Sequence, residues 1–276
     1  MTRSLALAIC FMFAAALAVA AHDGIHEQII AVTAEIRKSP KNPDLYLKRA
    51  ELYRLHREFR NAEKDLNRAA RLRPNLAIID LRKGKLAFDE RRYAKARTAL
   101  ERFMRAEPNA FEGALALART YAKLGQMNDA VSRFEQSITL AAADSVEIFL
   151  ELADVLRRAG RDTDALQWLN RGIAERGSLL TLELAAFEAE VRLKRFDAAI
   201  ARIERVSAPM ARKESFLLMK GETEIRAGQL CAARVSLNDA RKGYESRTSF
   251  QRNLRAVRSE LARLDAALKK SGSCRE

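Results

Sequence analysis

The sequence predicts an all-α fold in which pairs of antiparallel helices repeat along the chain between capping helices. The 276 residues include only 11 Gly and 5 Pro, which favours long helices over a loop-rich or all-β structure. Ala, Leu, Arg and Glu, all good helix formers, dominate the composition. A pattern of small and large apolar residues also recurs about every 34 residues, which is typical of helical-repeat proteins.

The repeat is defined by an alanine that is followed four positions later by a large apolar residue. The six pairs are Ala62/Leu66, Ala96/Leu100, Ala130/Phe134, Ala165/Leu169, Ala199/Ile203 and Ala233/Leu237. Successive alanines are 34, 34, 35, 34 and 34 residues apart. A second, mainly small landmark keeps these spacings at Ala50, Gly84, Ala118, Ala153, Phe187 and Gly221. A third, mainly apolar one does so at Phe59, Tyr93, Met127, Asp162, Phe196 and Leu230.

This pattern resembles the tetratricopeptide repeat family, which packs two antiparallel helices per 34 residues through small residues. The first unit matches best, with the expected residue types at Tyr46, Ala50, Tyr53, Ala62, Leu66, Ala69 and Pro74. The resemblance implies a right-handed superhelical solenoid over residues 42–245. Its six repeats are expected at about 43–76, 77–110, 111–145, 146–179, 180–213 and 214–245.

The turns and two departures from the family pattern carry further expectations. Glycine, which suits a helix end with positive φ, stands in three turns, at Gly125, Gly160 and Gly228. The other three turns carry larger residues and should be less favourable, at Arg57, Arg91 and Lys194. One extra residue falls near Ala142-Ala143-Asp144, and Glu183 and Phe187 replace an apolar and a small residue. We expect wider packing or a shifted register around those repeats.

Capping helices are expected at both ends, because a solenoid otherwise exposes its core. Residues 22–41 carry one apolar helical face, made of Ile25, Ile29, Val32 and Ile36. Residues 246–270 are expected to form one long helix, and 271–276 a tail. The apolar stripe of that long helix comprises Phe250, Leu254, Val257, Leu261, Leu264 and Leu268. The same stripe would also suit a coiled-coil partner.

Residues 1–21 have the features of a secretion signal. Arg3 supplies the positive charge, an apolar run covers residues 5–17, and Ala18-Val19-Ala20 fits the small-x-small cleavage rule. We therefore expect export, to a bacterial periplasm. The alternative is that the segment remains as a membrane anchor.

Removal of this signal would leave two cysteines, Cys231 and Cys274. An even number of cysteines in an exported chain is compatible with one disulfide. Cys231 begins the second helix of repeat six, and an antiparallel capping helix would bring Cys274 back near it. A bond there would close a loop of about 40 residues and stabilise the cap by about 3–4 kcal/mol. The alternative is two free thiols.

The net charge of +14 is unevenly distributed. Residues 37–105 carry a net +12, residues 106–200 a net −4 and residues 201–276 a net +8. Basic ends around a mildly acidic middle suggest an anionic partner, although many basic side chains only solvate helix faces.

The resemblance implies a concave groove lined by the first helix of each pair. Mapping the family's groove positions onto repeats one to three predicts partner-binding residues at Leu47, Lys48, Arg54, Leu81, Arg82, Lys85, Phe88, Arg119 and Lys123. Apolar footing beside cations suits a protein or peptide segment with acidic groups. Alternatively, the cations pair with Glu51, Asp89 and Glu112 and bind no partner.

The sequence therefore predicts an exported scaffold for protein–protein interaction, without catalytic activity, cofactor or small-molecule substrate. No Ser/His/Asp arrangement, Gly-rich phosphate loop or metal-spaced cysteine pair appears in it. An alternative is binding of an anionic envelope polymer or lipid through basic outer faces such as Arg60, Lys64 and Arg68. Nucleic acid is disfavoured as a partner, because carboxylates interleave with these cations. An exported protein would also be separated from most of the nucleic acid of the cell. A further alternative is a metal site at His22 and His26.

Overall fold

The computed structural model of the protein describes residues 24–140 and 146–272. Within these ranges the regular structure is helical, without a β-strand, which confirms the predicted all-α class. The chain divides into two compact units after residue 142. None of the helices in the described ranges has the length and apolar character needed to cross a membrane.

The first unit contains a capping helix and three helix pairs. Its helices are α1 (residues 24–38), α2 (Pro43–Leu55), α3 (Phe59–Leu72), α4 (Ile78–Asp89), α5 (Tyr93–Ala106), α6 (Phe111–Leu124) and α7 (Met127–Leu140). Each even-numbered helix packs against the next helix along the chain, and α2, α4 and α6 also contact one another in sequence.

The second unit contains three further helix pairs and a carboxyl-terminal cap. Its helices are α8 (Val146–Arg158), α9 (Asp162–Arg176), α10 (Leu180–Arg192), α11 (Phe196–Ser207), α12 (Glu214–Arg226), α13 (Leu230–Glu245), α14 (Ser249–Arg252) and α15 (Arg255–Ser271). The extra residue expected near Ala142-Ala143-Asp144 lies outside the described residues.

The alanine landmark marks the place where the two helices of each pair cross. All six alanines, from Ala62 to Ala233, have no exposed surface, and the apolar residues four positions later are at most 1% exposed. The third landmark gives the first residue of the second helix in every pair. The repeat therefore records the helix crossing and the start of the second helix.

Glycines at the second landmark make this approach still closer. A Cβ atom on Gly84 would lie 2.5 Å from Cγ of Leu100, and one on Gly221 would lie 2.6 Å from Cγ of Leu237. Both distances are far below van der Waals contact, so the α4–α5 and α12–α13 crossings require a residue without a side chain.

Six turns between paired helices adopt the same left-handed conformation. Three contain the predicted glycines, with φ of 78° at Gly125, 74° at Gly160 and 79° at Gly228. Arg57, Arg91 and Lys194 adopt φ of 63°, 60° and 58° at the equivalent positions of the other repeats. A positive φ costs roughly 1–2 kcal/mol in a residue with a Cβ atom, so the expectation of less favourable turns is confirmed.

The amino-terminal cap is held by apolar burial and by one arginine. Val32 of α1 is 1% exposed and belongs to the core of the first unit. Arg49 of α2 donates to both carboxylate oxygens of Asp65 on α3, at 2.7 and 2.8 Å, and to Oγ1 of Thr33 on α1, at 3.0 Å. This side chain links three helices at the end of the stack.

The carboxyl-terminal cap differs from the single long helix that the sequence predicts. Thr248 and Gln251 form a capping box at α14, and Leu254 then takes an extended conformation, with ψ of 137°, before α15 begins. Val257 and Leu264 are buried beside Tyr244. Because of the break, Phe250 and Leu254 lie outside this apolar stripe and are 76% and 46% exposed.

Helix α15 runs antiparallel to α13, as the disulfide hypothesis requires. Arg234 near the start of α13 donates to the carbonyl oxygen of Gly272, and Tyr244 near its end donates to Glu260 at 2.9 Å. Cys231 is disulfide-bonded. Cys274 lies outside the described residues, so its pairing with Cys231 stays a prediction.

We expect Gly84→Ala to destabilise the chain, although alanine normally stabilises a helix interior relative to glycine by about 1 kcal/mol. Overpacking against Leu100 costs about 1–3 kcal/mol, so the urea midpoint should fall. Gly24→Ala in α1 is the control, because nothing lies within 4 Å of its added Cβ atom. A midpoint for Gly84→Ala at or above that of the wild type would contradict the tight crossing.

We also expect the chain without residues 1–21 to show no free thiol when it is denatured without reductant and titrated. Reduction should lower its free energy of unfolding by about 3–4 kcal/mol, since a loop of about 40 residues is opened. Cys231→Ser/Cys274→Ser should match the reduced wild type in stability. Two titratable thiols would contradict the bond.

Candidate partner-binding site

The predicted partner-binding residues all lie on α2, α4 and α6 of the first unit. These helices surround a cavity of about 280 Å³, lined by Arg54, Lys85, Phe88, Asp89, Leu100, Ala116 and Arg119. Four of the nine predicted residues therefore meet around one cavity, contributed by three successive repeats.

The apolar members of the predicted site differ in accessibility. Leu47 is 9% exposed and Leu81 is 1% exposed, so both support the helices from within the core and offer a partner almost no surface. Phe88 is half-buried and packs edge-on against Tyr93, with 5.4 Å between ring centroids. Phe88 thus provides the apolar wall of the cavity.

An ion-pair network connects the three repeats beside this cavity. Arg54 donates to both oxygens of Glu51, at 2.7 and 3.0 Å, and also contacts Asp89. Arg82 lies 3.2 Å from Glu51, and Lys85 lies 2.6 Å from Glu112. The pairing with Glu51, Asp89 and Glu112 that the sequence offered as an alternative to partner binding is therefore present.

The network sets the charge state of its central carboxylate. Burial on its own would raise the pKa of Glu51, but the hydrogen bond from Arg54 and the charges of Arg54, Arg82 and Lys85 lower it overall. The pKa of Arg54 is raised, because Glu51 and Asp89 outweigh its burial. Both groups are fully charged near neutral pH.

The remaining predicted cations, Lys48, Arg119 and Lys123, are exposed. Lys48 is 4.0 Å from Glu35 of the capping helix, with most of its side chain exposed. Arg119 and Lys123 are exposed on α6, and Lys123 makes no ion pair within the part of the chain that the structure describes. Of the predicted cations, Arg54, Lys85 and Arg119 line the cavity, together with one carboxylate, Asp89.

The outer-face alternative rests on α3, where no exposed large apolar residue accompanies the cations. Arg60 and Lys64 are exposed, whereas Arg68 lies over the Tyr46 ring at 5.9 Å. None of the exposed large apolar residues in the described ranges belongs to α3. This face is a solvated basic surface.

The histidine alternative is only partly visible, because His22 lies outside the described residues. His26 approaches His56, with 6.3 Å between ring centroids, and Nδ1 of His56 is 2.8 Å from Glu58. Across residues 24–140 and 146–272, no group of three or more His, Cys, Asp or Glu residues is arranged to hold a metal ion.

A buried charge cluster in the second unit was missed by the sequence analysis, which noted Glu183 only as a departure from the repeat. Glu183 is 1% exposed. Arg202 bridges it to Glu190, at 2.5 and 2.8 Å, and Arg205 and Ser178 add bonds of 3.0 and 2.6 Å. An acidic residue at an apolar repeat position, followed by arginines on the next helix, is the signal that could have indicated it.

Phe187, the other departure, lines a second cavity. This space of about 300 Å³ lies among α10, α12 and α15 of the second unit. Val191 and Met219 extend its apolar wall, and Arg192 and Arg226 stand at its edge. The large side chain at a position that is small in other repeats is therefore accommodated beside open space.

Stacked helix pairs with alanine at each crossing and a charged, partly apolar side define a helical-repeat scaffold. Residues 81–137 and 115–178 match the family model described as Tetratricopeptide repeat. Residues 81–178 therefore carry tetratricopeptide repeats, and the predicted all-α class of antiparallel helix pairs is confirmed. No curated protein sequence gives a significant match.

Solved structures with the same fold include three bacterial proteins. The C-terminal part of a TPR repeat-containing protein from Cytophaga hutchinsonii has a TM-score of 0.66 and 12% identity, covering 86% of this chain and 95% of that one. PilW, described as a widely conserved type IV pilus biogenesis factor, has a TM-score of 0.58 and 21% identity, and the match covers 70% of this chain and 90% of PilW. PilF of Pseudomonas aeruginosa has a TM-score of 0.55 and 16% identity, and the match covers 70% of this chain and 88% of PilF. At these identities the similarity concerns the fold.

The buried cluster predicts acid sensitivity of the second unit. Burial would raise the pKa of Glu183, but hydrogen bonds from Arg205, Ser178 and Arg202 lower it from 4.5 to about 2. The resulting stability, up to about 3 kcal/mol, is present above pH 4.5 and is lost as the pH falls towards 2.

Thermal unfolding measured between about pH 2 and 6 should show this loss in the wild type. In Glu183→Gln the melting temperature should be lower near neutral pH and depend less on pH. Glu188→Gln is the matched control, because Glu188 lies on the same helix but its side chain is largely exposed. Its ion pair with Arg192 is long, at 4.0 Å. An unchanged pH profile in Glu183→Gln would contradict the role of the cluster.

Proposed function

We propose that the protein is an exported scaffold that binds an acidic peptide or protein segment on the α2–α4–α6 side of its first unit. The observation that carries the proposal is the convergence of Arg54, Lys85 and Arg119 with Phe88 around one cavity, where Asp89 is the carboxylate in the lining. A net positive surface beside an aromatic wall favours an extended or helical segment with acidic and apolar side chains.

The ion pairs divide the cations into two functional groups. Arg54 is largely buried and held by Glu51 and Asp89, so it fixes the geometry of the helices. Lys85 pairs with Glu112, whose side chain is 49% exposed; such an exposed pair is worth about 0–1 kcal/mol. A carboxylate of the partner can replace Glu112 at small cost, with Lys123 exposed one repeat further on.

The location of the protein is inferred from its first 21 residues, whose charge, apolar run and small residues fit a cleaved secretion signal. The fold is shared with PilW, described as a pilus biogenesis factor. By analogy, we infer that the partner is a component of an assembly in the bacterial envelope. The comparison supplies no residue of the site, which rests on the geometry of this chain.

We expect Arg82→Glu/Lys85→Glu to lower recovery of the partner at least about tenfold, because both cations then repel an acidic segment. The measurement is a pull-down from the cell's own envelope fraction with the chain lacking residues 1–21, followed by quantitative mass spectrometry. Lys123→Glu should weaken binding in the same direction, without removing an ion pair of the folded protein.

The control is Arg60→Glu/Lys64→Glu, which changes the net charge equally on the outer face. Circular dichroism and melting temperature should confirm that each variant is folded. If only the control variant loses the partner, or if Arg82→Glu/Lys85→Glu retains it, the proposed site is wrong.

A further inference from the structure

The connection between α13 and α15 exposes two apolar side chains that the fold leaves uncovered. Phe250 is 76% exposed, the highest value among the large apolar residues in the described ranges, and Leu254 is 46% exposed. Phe250 lies on α14, and Leu254 directly precedes α15. We call Phe250 and Leu254, together with Arg252, Arg255 and Arg258, the α14 patch.

The two apolar side chains lie four residues apart in the short connection between α13 and α15. The backbone N–H of Asn253 donates to Phe250, and that of Leu254 donates to Gln251, both at 3.2 Å. Both bonds span three residues, as in a tight 3₁₀-type turn, so Phe250 and Leu254 lie about one turn apart along the connection. The capping box of Thr248 and Gln251 fixes the start of this turn.

The stretch of chain between Glu245 and Glu260, which contains the pair, carries charges of one sign. Residues 246–259 contain four arginines and no carboxylate. Arg247 is held by Glu214 at 3.1 Å and lies over the Tyr244 ring, so it belongs to the fold. The other three, Arg252, Arg255 and Arg258, are exposed and make no ion pair with a described residue.

We propose that the α14 patch binds the surface of an anionic lipid bilayer, with Phe250 and Leu254 entering the interface and the three arginines contacting headgroup phosphates. Apolar side chains beside arginines are the pattern of segments that lie in a membrane interface. Each basic residue close to an anionic bilayer raises the partition coefficient of the protein about fivefold.

A bilayer explains the patch better than the other two classes of anionic partner. A stable protein interface buries roughly 800 Å² on each side around a shaped apolar centre, and two side chains on a short turn do not form one. A soluble polyanion would need only the arginines and would leave the exposed phenylalanine without a role. A bilayer interface accepts a few inserted side chains and phosphate contacts together.

The α14 patch is joined to a helix that is well packed in the second unit. Val257 and Leu264 of α15 are buried against α13, and Tyr244 donates to Glu260 at 2.9 Å. Insertion of Phe250 and Leu254 therefore requires no rearrangement of the core. The α14 patch and the proposed partner site use different residues in different units, so neither inference depends on the other.

The test is flotation of the chain lacking residues 1–21 with vesicles of phosphatidylcholine, with and without about 30% phosphatidylglycerol, at about 0.1 M salt. We expect binding to the anionic vesicles and little to the neutral ones. Arg252→Gln/Arg255→Gln/Arg258→Gln should lower the partition coefficient about 100-fold, and about 0.5 M salt should also lower it strongly. Phe250→Ser/Leu254→Ser should lower it about tenfold or more.

Two controls match these variants. Arg37→Gln/Lys38→Gln/Lys41→Gln removes three exposed positive charges near the amino-terminal cap, and Ile30→Ser/Val235→Ser removes two apolar side chains that are 57% and 63% exposed. Both should bind within about twofold of the wild type, because neither touches the α14 patch.

Four results would overturn the proposal: no binding to anionic vesicles, equal binding to neutral ones, equal losses in the controls, or undiminished binding by either patch variant. Retained binding by Phe250→Ser/Leu254→Ser, with tight binding of soluble polyphosphate, would point instead to an anionic polymer. Phe250→Trp gives an independent reading, since its fluorescence should shift to the blue on anionic vesicles. Melting temperatures show that each variant is folded.

Discussion

The close crossing of two helices at a residue with little or no side chain is the constraint on which this structure depends. The fully buried alanines, from Ala62 to Ala233, bring the backbones of each pair together, and at Gly84 even a methyl group would collide with Leu100. Because these crossings recur at a nearly constant spacing, each pair presents the same faces to its neighbours within a unit. Stacking then buries apolar surface that no single pair can cover.

The charged side chains perform two different tasks within this frame. Around Glu183, complete burial and several donors make the ion pairs part of the packing, so they stabilise the second unit. Around Glu51, the pairs hold Arg54 and leave Lys85 and its exposed partner Glu112 at the surface. The accessible pairs are the ones that a ligand can exchange with, since breaking a solvated pair costs little.

The two proposed binding surfaces have different origins: one has an excess of positive charge, and the other has apolar side chains that the fold leaves exposed. On the α2–α4–α6 side, three repeats bring together more cations than carboxylates. At the α14 patch, the break at Leu254 separates the first part of the apolar stripe from the buried part on α15. Phe250 and Leu254 are therefore exposed to solvent. One surface suits an acidic segment of a partner, and the other an anionic bilayer, which together would allow a scaffold to hold its partner at a membrane.

The sequence by itself determined the class of fold, the helix crossings, the first residue of each second helix and the strained turns at Arg57, Arg91 and Lys194, because a fixed spacing encodes local geometry directly. It also indicated which helices carry the candidate site. Only the tertiary structure decided that Leu47 and Leu81 are buried, that Glu183 joins Arg202 in a cluster, and that the last helix is broken at Leu254. Those outcomes depend on contacts between distant segments and on backbone turns, which a pattern of residue types does not specify.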